Sequence, residues 1–258
     1  MDTRAEQAIG TWLAALEQRH LADHTLPEVR RALQALSGWY VERRGARGEL
    51  THGAPFSSAG KRAAYALFYG PLHLLTVARI VEALGAAEPA PRQIVDLGCG
   101  TGAGSAAWAL AAGAPRPRIR GVDASAWAID ESTAAWRTLG LDGRARRGTL
   151  VAERLPGAGD GIVLAWTVNE LRLEGRERLL ARLVVAARRG ARILVVEPVA
   201  RGIAPWWDEW GAALGDTGGR ADTWRFPVEL PEPLRTLDRA AGLDHRVLTA
   251  RSLYVAER

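Results

Sequence analysis

Ile94-Val95-Asp96-Leu97-Gly98-Cys99-Gly100-Thr101-Gly102-Ala103-Gly104 decides how this chain folds. It reads as a short apolar strand carrying Asp96, then four glycines at alternate positions, then an alanine-rich helix. Glycine reaches backbone angles that side chains forbid and lets a ligand come close to the main chain. A strand feeding such a turn into a helix N-terminus surrounds a bound molecule with free backbone N–H groups. Gly98-Cys99-Gly100-Thr101-Gly102-Ala103 satisfies the G-x-G-x-x-G/A fingerprint of dinucleotide loops, which alone is a weak signal. Asp96 shifts the balance. A carboxylate beside a pyrophosphate adds repulsion, whereas a cationic ligand suits it. The bland alternative is a turn-forming or helix-capping aspartate.

A second acid sharpens the pattern. Ile119-Arg120-Gly121-Val122-Asp123 reads as a second strand, and Asp123 stands twenty-one positions after Gly102. An acidic residue about 20 positions past a glycine loop is the usual partner of ribose hydroxyls. Ala124-Ser125 then opens another helix, with Ser125 as its N-cap.

The organisation divides near residue 89, at the proline-rich joint Glu88-Pro89-Ala90-Pro91-Arg92. Residues 1–88 show helical patterns only: 3–18, a helix opened by Pro27, then 59–69 and 72–84 divided by Gly70-Pro71, with a loop at 51–58 holding His52 and Phe56. After the joint, strands near 93–97, 119–123, 145–150, 161–166 and 191–197 alternate with helices near 104–112, 125–139, 175–189, 203–214 and 232–241. That rhythm predicts a parallel sheet. The chain closes with 244–249 and 253–256, an expected antiparallel hairpin around Ala250-Arg251-Ser252.

Composition fits a medium-sized enzyme, with 258 residues, 48% hydrophobic. The single cysteine, Cys99, rules out an internal disulfide framework and a multi-cysteine metal site, and no metal is expected. No signal peptide is visible and no stretch approaches a membrane span, so a cytoplasmic protein is expected. Net charge is +5, and only Lys61 among the 34 basic residues is lysine. Arginine runs at 43–47, 116–120 and 144–147 are either a phosphate-contacting surface or ordinary solvated loops and helix ends.

In open α/β sheets, ligands bind outside the carboxyl ends of the strands. The fourth strand brings Trp166 and then Thr167-Val168-Asn169-Glu170-Leu171 to that edge; the fifth brings Glu197-Pro198. Asn169 offers a donor and an acceptor, and Glu170 a proton acceptor, so both are candidate catalytic residues; each is also a plausible helix cap. Trp206, Trp207 and Trp210 follow the fifth strand, at spacing that suits core packing or a pocket wall. Tyr65, Tyr69 and His73 in the N-terminal region are candidates, with Trp206, for a substrate lid.

Together these segments resemble class I S-adenosylmethionine (SAM) methyltransferases over residues 93–258. The resemblance implies an α/β fold with a doubly wound, mostly parallel seven-stranded sheet, residues 89–258 forming the SAM-binding domain and 1–88 an N-terminal helical cap. It implies SAM as cofactor, its methionine end held by Asp96, Gly98, Cys99, Gly100 and Gly102. Asp123, Ala124 and Ser125 would flank the ribose, Thr149 and Leu150 the adenine, and Trp166 the same site. The family's frequent acidic residue after strand three is missing here. An Asn/Asp-Pro-Pro-aromatic motif after strand four and a second cysteine are also absent, which argues against base-amino methylation by that route and against cysteine-adduct chemistry.

A narrower similarity lies in Tyr65-Ala66-Leu67-Phe68-Tyr69-Gly70-Pro71, Asn169-Glu170-Leu171 and Val196-Glu197-Pro198. These resemble a methyltransferase-like family associated with the small ribosomal subunit, without that family's cysteine cluster. The expected acceptor is RNA, including ribosomal RNA, or else a small aromatic or amine molecule. A SAM-binding assembly or regulatory protein without turnover, and an NAD-dependent oxidoreductase, are the remaining readings. An enclosed aromatic lid favours the small molecule, and one open face gathering the arginines favours RNA. The sequence does not indicate an oligomeric state.

Overall fold

The computed structural model describes residues 3–43, 56–200 and 204–256. The expected arginine run 43–47, His52 and the side chains of Trp39 and Tyr40 lie outside what is described.

Among the described residues, seven strands form one sheet: β1 (Gln93–Leu97), β2 (Arg118–Asp123), β3 (Gly143–Arg147), β4 (Gly161–Ala165), β5 (Arg192–Glu197), β6 (Arg220–Pro227) and β7 (Val247–Val255). Their order is β3-β2-β1-β4-β5-β7-β6. The first five are parallel, and β7 runs antiparallel to both β5 and β6. The strand order reverses between β1 and β4, the switch point where ligands sit in open α/β folds.

Helices cover both faces because strand side chains alternate. Ile94, Val163 and Leu194 pack into one core with α4 (Gly70–Leu84) and α5 (Ala103–Ala111). Val95, Ile162 and Val195 pack into the other with α7 (Leu173–Arg188) and α8 (Trp207–Gly215). The first core also takes in Trp12, Leu13 and Leu16 of α1 (Thr3–His20) and Val29 and Leu33 of α2 (Leu26–Arg43), so the N-terminal helices share the sheet's core. Glu131 of α6 (Ala126–Thr138) is 4% exposed and pairs with Arg19 and His20 of α1, tying the two together.

Four expectations need correction. Gly70-Pro71 does not divide a helix: α3 (Ala59–Ala64) runs through a π-helical turn, Tyr65–Tyr69, directly into α4. The Gly70 N–H bonds back to the Tyr65 carbonyl, and this wider turn accommodates a proline that an uninterrupted α-helix resists. Gly70 also lets the helix approach the glycine loop, since a Cβ there would stand 3.0 Å from Thr101 Oγ1. The run Ala59–Leu84 is long and apolar enough to cross a membrane, contrary to expectation, but 78% of its most apolar window is buried inside the fold.

The closing hairpin is also different. Residues 247–255 form one continuous strand that pairs antiparallel with β5 on one side and β6 on the other, and a helix, Glu232–Ala240, separates it from β6 in sequence. Arg251 does not turn the chain because its guanidinium lies inward over the Trp207 ring, 4.2 Å from the centroid. β6 escapes a hydrophobicity reading because it is an edge strand: Trp224 and Phe226 stack on each other while Arg220 and Arg225 are exposed. Strand β3 ends at Arg147 rather than 150, and the chain then enters a short 3₁₀ turn, Leu150–Ala152.

Gly121 and Gly143 let the indole of Trp136, fully buried on α6, lie flat on β2 and β3. A Cβ at Gly121 would stand 2.6 Å from that ring and 2.9 Å from Cys99 Sγ. Gly121→Val should therefore destabilise the fold by about 1–3 kcal/mol, the usual range for overpacking. Urea unfolding measures this, and an unchanged midpoint would contradict the packing described.

Candidate active site

The turn after β1 is built from backbone that only glycine adopts cheaply. Gly98 and Gly102 have φ of 76° and Gly100 of 51°. At Gly98 a Cβ would collide with Thr167 Cγ2 at 2.2 Å, so the loop can touch the end of β4 only as glycine. At Gly100 no atom lies within 4 Å of where a Cβ would stand, and the main chain there opens on a cavity of about 560 Å³. The loop is pinned from behind: the Trp136 indole N–H donates to the Gly102 carbonyl at 2.9 Å. Gly98 and Cys99 N–H both donate to the Val122 carbonyl, at 2.8 and 3.1 Å.

Two aspartates beside the glycine turn line this cavity. Asp96 is 2% exposed and accepts the Ser105 N–H at 3.3 Å. Burial pushes its carboxyl up to about 7, against the lowering effect of Ser105 and with a smaller push from Asp123. Asp123 accepts the Gly100 N–H at 3.0 Å on one oxygen and the Ser125 N–H at 2.8 Å on the other. Burial raises its pKa too, opposed by those N–H groups. Ser125 caps α6 as expected, accepting the Ala128 N–H at 3.4 Å. Cys99 lines the cavity but is a buried filler whose thiol donates to Ser132 Oγ at 3.6 Å; burial, then the two acids, raises its pKa and keeps it neutral.

The opposite wall is aromatic. Tyr65 and His73, from the π turn and α4, face the cavity with Phe56 and Trp166. His73 stacks on Trp166 with centroids 3.7 Å apart and planes within 8°. Trp166 has φ of 56°, a left-handed conformation that costs a bulky residue of order 1–3 kcal/mol and needs support from its surroundings. Burial pushes His73 down to about 3, so the stacked imidazole is neutral. Phe56 packs on Tyr65 and on Trp127 of α6. Tyr69 packs behind, against Tyr65, Phe68 and His73, and does not line the cavity. Thr149 and Leu150 line it with Gly148 and Val151.

The two candidate catalytic residues part company. Glu170 is on the cavity wall, at the end of a 3₁₀ turn, Val168–Glu170. Asn169 sits behind it: its Nδ2 donates to Glu197 Oε2 at 2.5 Å, and its Oδ1 accepts the Trp206 indole N–H at 2.9 Å. Trp206 is 5% exposed, in the core beside α8, and does not line the cavity. Sequence reasoning did not single out Thr167, Ser105, Trp127 or Trp136. Their roles depend on partners far away in sequence, and only Thr167 had a local hint, its place at the end of a strand.

The donor set fits SAM. Gly100 leaves an open cradle against the main chain, and Asp96 is a buried carboxylate suited to a ligand's ammonium group. Asp123 keeps acceptor capacity for ribose hydroxyls on both oxygens. Among the described residues no group of three or more His, Cys, Asp or Glu side chains could hold a metal ion.

Residues 78–189 match the sequence model of the methyltransferase small domain family. No curated protein matches the chain in sequence. Among solved structures, a provisionally assigned O-methyltransferase from Nostoc punctiforme aligns with TM-score 0.51 at 13% identity, covering 96% of this chain and 72% of that one. Magnesium protoporphyrin IX methyltransferase from Synechocystis, solved with bound SAM, aligns with TM-score 0.47 at 17% identity, covering 90% and 97%. A SAM-dependent methyltransferase from Aquifex aeolicus gives 0.45 at 16%, covering 70% and 90%. The matched segment is a methyltransferase domain, and its cofactor is SAM.

Asp96 must be ionised to hold an ammonium, so SAM affinity should climb as pH rises through about 7 and level off above it. Asp96→Asn should weaken binding at least about 10-fold, the scale of a lost charge-assisted hydrogen bond, and flatten the profile. Calorimetric titration across pH tests this, and a flat profile for the unaltered protein would contradict it. Without ligand the sign reverses. Folded Asp96 and Glu197 keep protons up to about 7 and about 8, whereas the unfolded chain releases them near 3.8 and 4.5. Those two groups should therefore make the ligand-free protein less stable as pH rises across that window.

Proposed function

We propose that this chain, a class I SAM-dependent methyltransferase, places its methyl group on RNA. One observation carries the reading. Gly121 and Gly143 face Trp136, so the alternating residues Arg118 and Arg120 of β2 and Arg144 and Arg146 of β3 project from the opposite face. Two arginine runs, separate in sequence, thus gather on one side of the sheet. Arg118 is 84% exposed and Arg146 57%. Arg154, Arg182 and Arg189 extend the surface along a neighbouring groove. Glu153, 2% exposed, is shared by Arg120 and Arg146, and Asp142 pairs with Arg118 at 3.5 Å, so the cations outnumber the acids that meet them. Guanidinium groups bind phosphate oxygens in forked pairs, and phosphate contacts dominate nucleic-acid affinity.

β3 leads from this face into Gly148–Leu150 at the cavity, so a strand lying on the arginines passes near the site. In this reading residues 1–88 form the cap over a site carried by 89–258. When bound, SAM supplies a methyl made electrophilic by its sulfonium. Asp96 and the glycine turn hold the methionine end, Asp123 the ribose, and Thr149 to Val151 border the adenine. Phe56, Tyr65 and the stacked His73–Trp166 pair give flat faces on which an unstacked base can lie. Glu170, on the wall, accepts a proton if the nucleophile must lose one. Transfer then depends chiefly on positioning. A small aromatic acceptor is the second reading, favoured by those same aromatic walls.

Incubating the protein with methyl-labelled SAM and separate RNA, protein and metabolite pools tests the acceptor. Label in RNA is expected, and label in the metabolite pool alone would favour the second reading. Replacing Arg144 and Arg146 by Ala should weaken RNA binding and lower the log–log salt slope by about 1.4–1.8, at roughly 0.7–0.9 per lost phosphate contact. SAM affinity should not change.

A further inference from the structure

Glu197 ends β5 with 0% exposure and is not on the cavity wall, so the chemistry just described does not use it. Its Oε1 accepts the Val168 N–H at 3.2 Å and its Oε2 accepts Asn169 Nδ2 at 2.5 Å. Asn169 passes the order on, accepting the Trp206 N–H at 2.9 Å. The direction of every bond is fixed. An indole N–H only donates, so Asn169 must turn its oxygen to Trp206 and its NH₂ to an accepting oxygen of Glu197. Burial pushes the Glu197 carboxyl up to about 8, against the lowering effects of the Val168 N–H and of Arg251, which lies opposite it in the β5–β7 register.

This chain links the end of β5, the 3₁₀ turn Val168–Glu170 and the residue that caps α8. The turn is flanked on the cavity side by Thr167, which donates to the Gly98 carbonyl at 3.2 Å, and it carries Glu170 and leads to Leu171 on the wall. A 3₁₀ turn this short holds its shape only through such outside bonds. We propose that Glu197 and Asn169 are positioning residues: a buried, directional hydrogen-bond relay that sets the acceptor-side wall, Thr167 to Leu171, and so governs turnover rather than SAM binding. Asn169 then acts through Glu170 and the turn, not on the substrate.

The inference rests on the methyl-transfer reading, and a polarity swap tests it. Assayed above pH 8, where Glu197 is ionised, Glu197→Gln keeps the shape but sets an NH₂ against the Asn169 NH₂, and Asn169→Asp sets carboxylate against carboxylate. Each single variant should lower kcat about 10–100-fold while leaving SAM affinity within about 3-fold, the scale for a misplaced wall. The double variant Glu197→Gln/Asn169→Asp restores every bond. The amide now at position 197 accepts from Val168 and donates to the carboxylate now at position 169, which still accepts the Trp206 N–H. It should recover kcat to within about 5-fold of the parent, the same positioning restored. Turnover is read as S-adenosylhomocysteine released with whole-cell extract as acceptor. Loss of RNA labelling with intact S-adenosylhomocysteine release would then count against the RNA reading alone. Amide exchange at Val168, followed by mass spectrometry, needs no acceptor: it should quicken at least about 10-fold in each single variant and slow again in the double. Single variants with parental kcat and parental exchange, or a double variant no better than either single, would overturn the proposal. If a single variant does not fold, Trp206→Phe removes one donor only. It should cost about 3–10-fold in kcat with SAM affinity unchanged, and no loss would overturn the proposal as well.

Discussion

Burying the Asp96 carboxylate beneath a glycine turn is the constraint on which the rest of the molecule depends. A buried carboxylate is costly to ionise, and here the cost shows as a pKa pushed up to about 7. A cation beside it would relieve that cost, so burial here suits a positively charged ligand. The glycines follow from the same demand. Gly100 leaves the main chain open beside the acids, while Gly98 and Gly102 let Thr167 and Trp136 press close enough to hold the turn rigid. Rigidity is what a displacement reaction governed by placement requires.

The N-terminal helices share the sheet's core and contribute to the cavity wall. Gly70 brings the α3–α4 run against Thr101, and the π turn lets the helix continue through Pro71, which carries Tyr65 and His73 to the cavity wall. π turns of this kind are frequent at functional sites. The His73–Trp166 stack then joins α4 to the end of β4 at the one non-glycine residue with positive φ among those described. Burial keeps that imidazole neutral, so the stack places no positive charge on the cavity wall.

The parts of the site that were legible in sequence are those whose physics is local. Asp96, the glycines, Asp123 and the Ser125 cap lie within a strand, a turn and a helix start, and spacing alone relates them. The parallel strands and the two covering layers followed from strand–helix alternation. What escaped depended on distant partners or on edge position. Trp136 meets Gly102 across 34 residues, and Glu197 meets Asn169 across 28. β6 has the mixed polarity of an edge strand, and Arg251, which reads as a turn, is drawn inward by Trp207. The π turn hid behind Gly-Pro, normally a sign of a break.

A buried carboxylate beside the glycines also separates this loop from a dinucleotide loop of the same glycine spacing. The most direct test is a paired calorimetric titration of the intact protein with SAM and with NAD at about pH 8, above the pKa at which Asp96 ionises. The account predicts saturable binding of SAM and none of NAD. Saturable binding of NAD without measurable binding of SAM would contradict it.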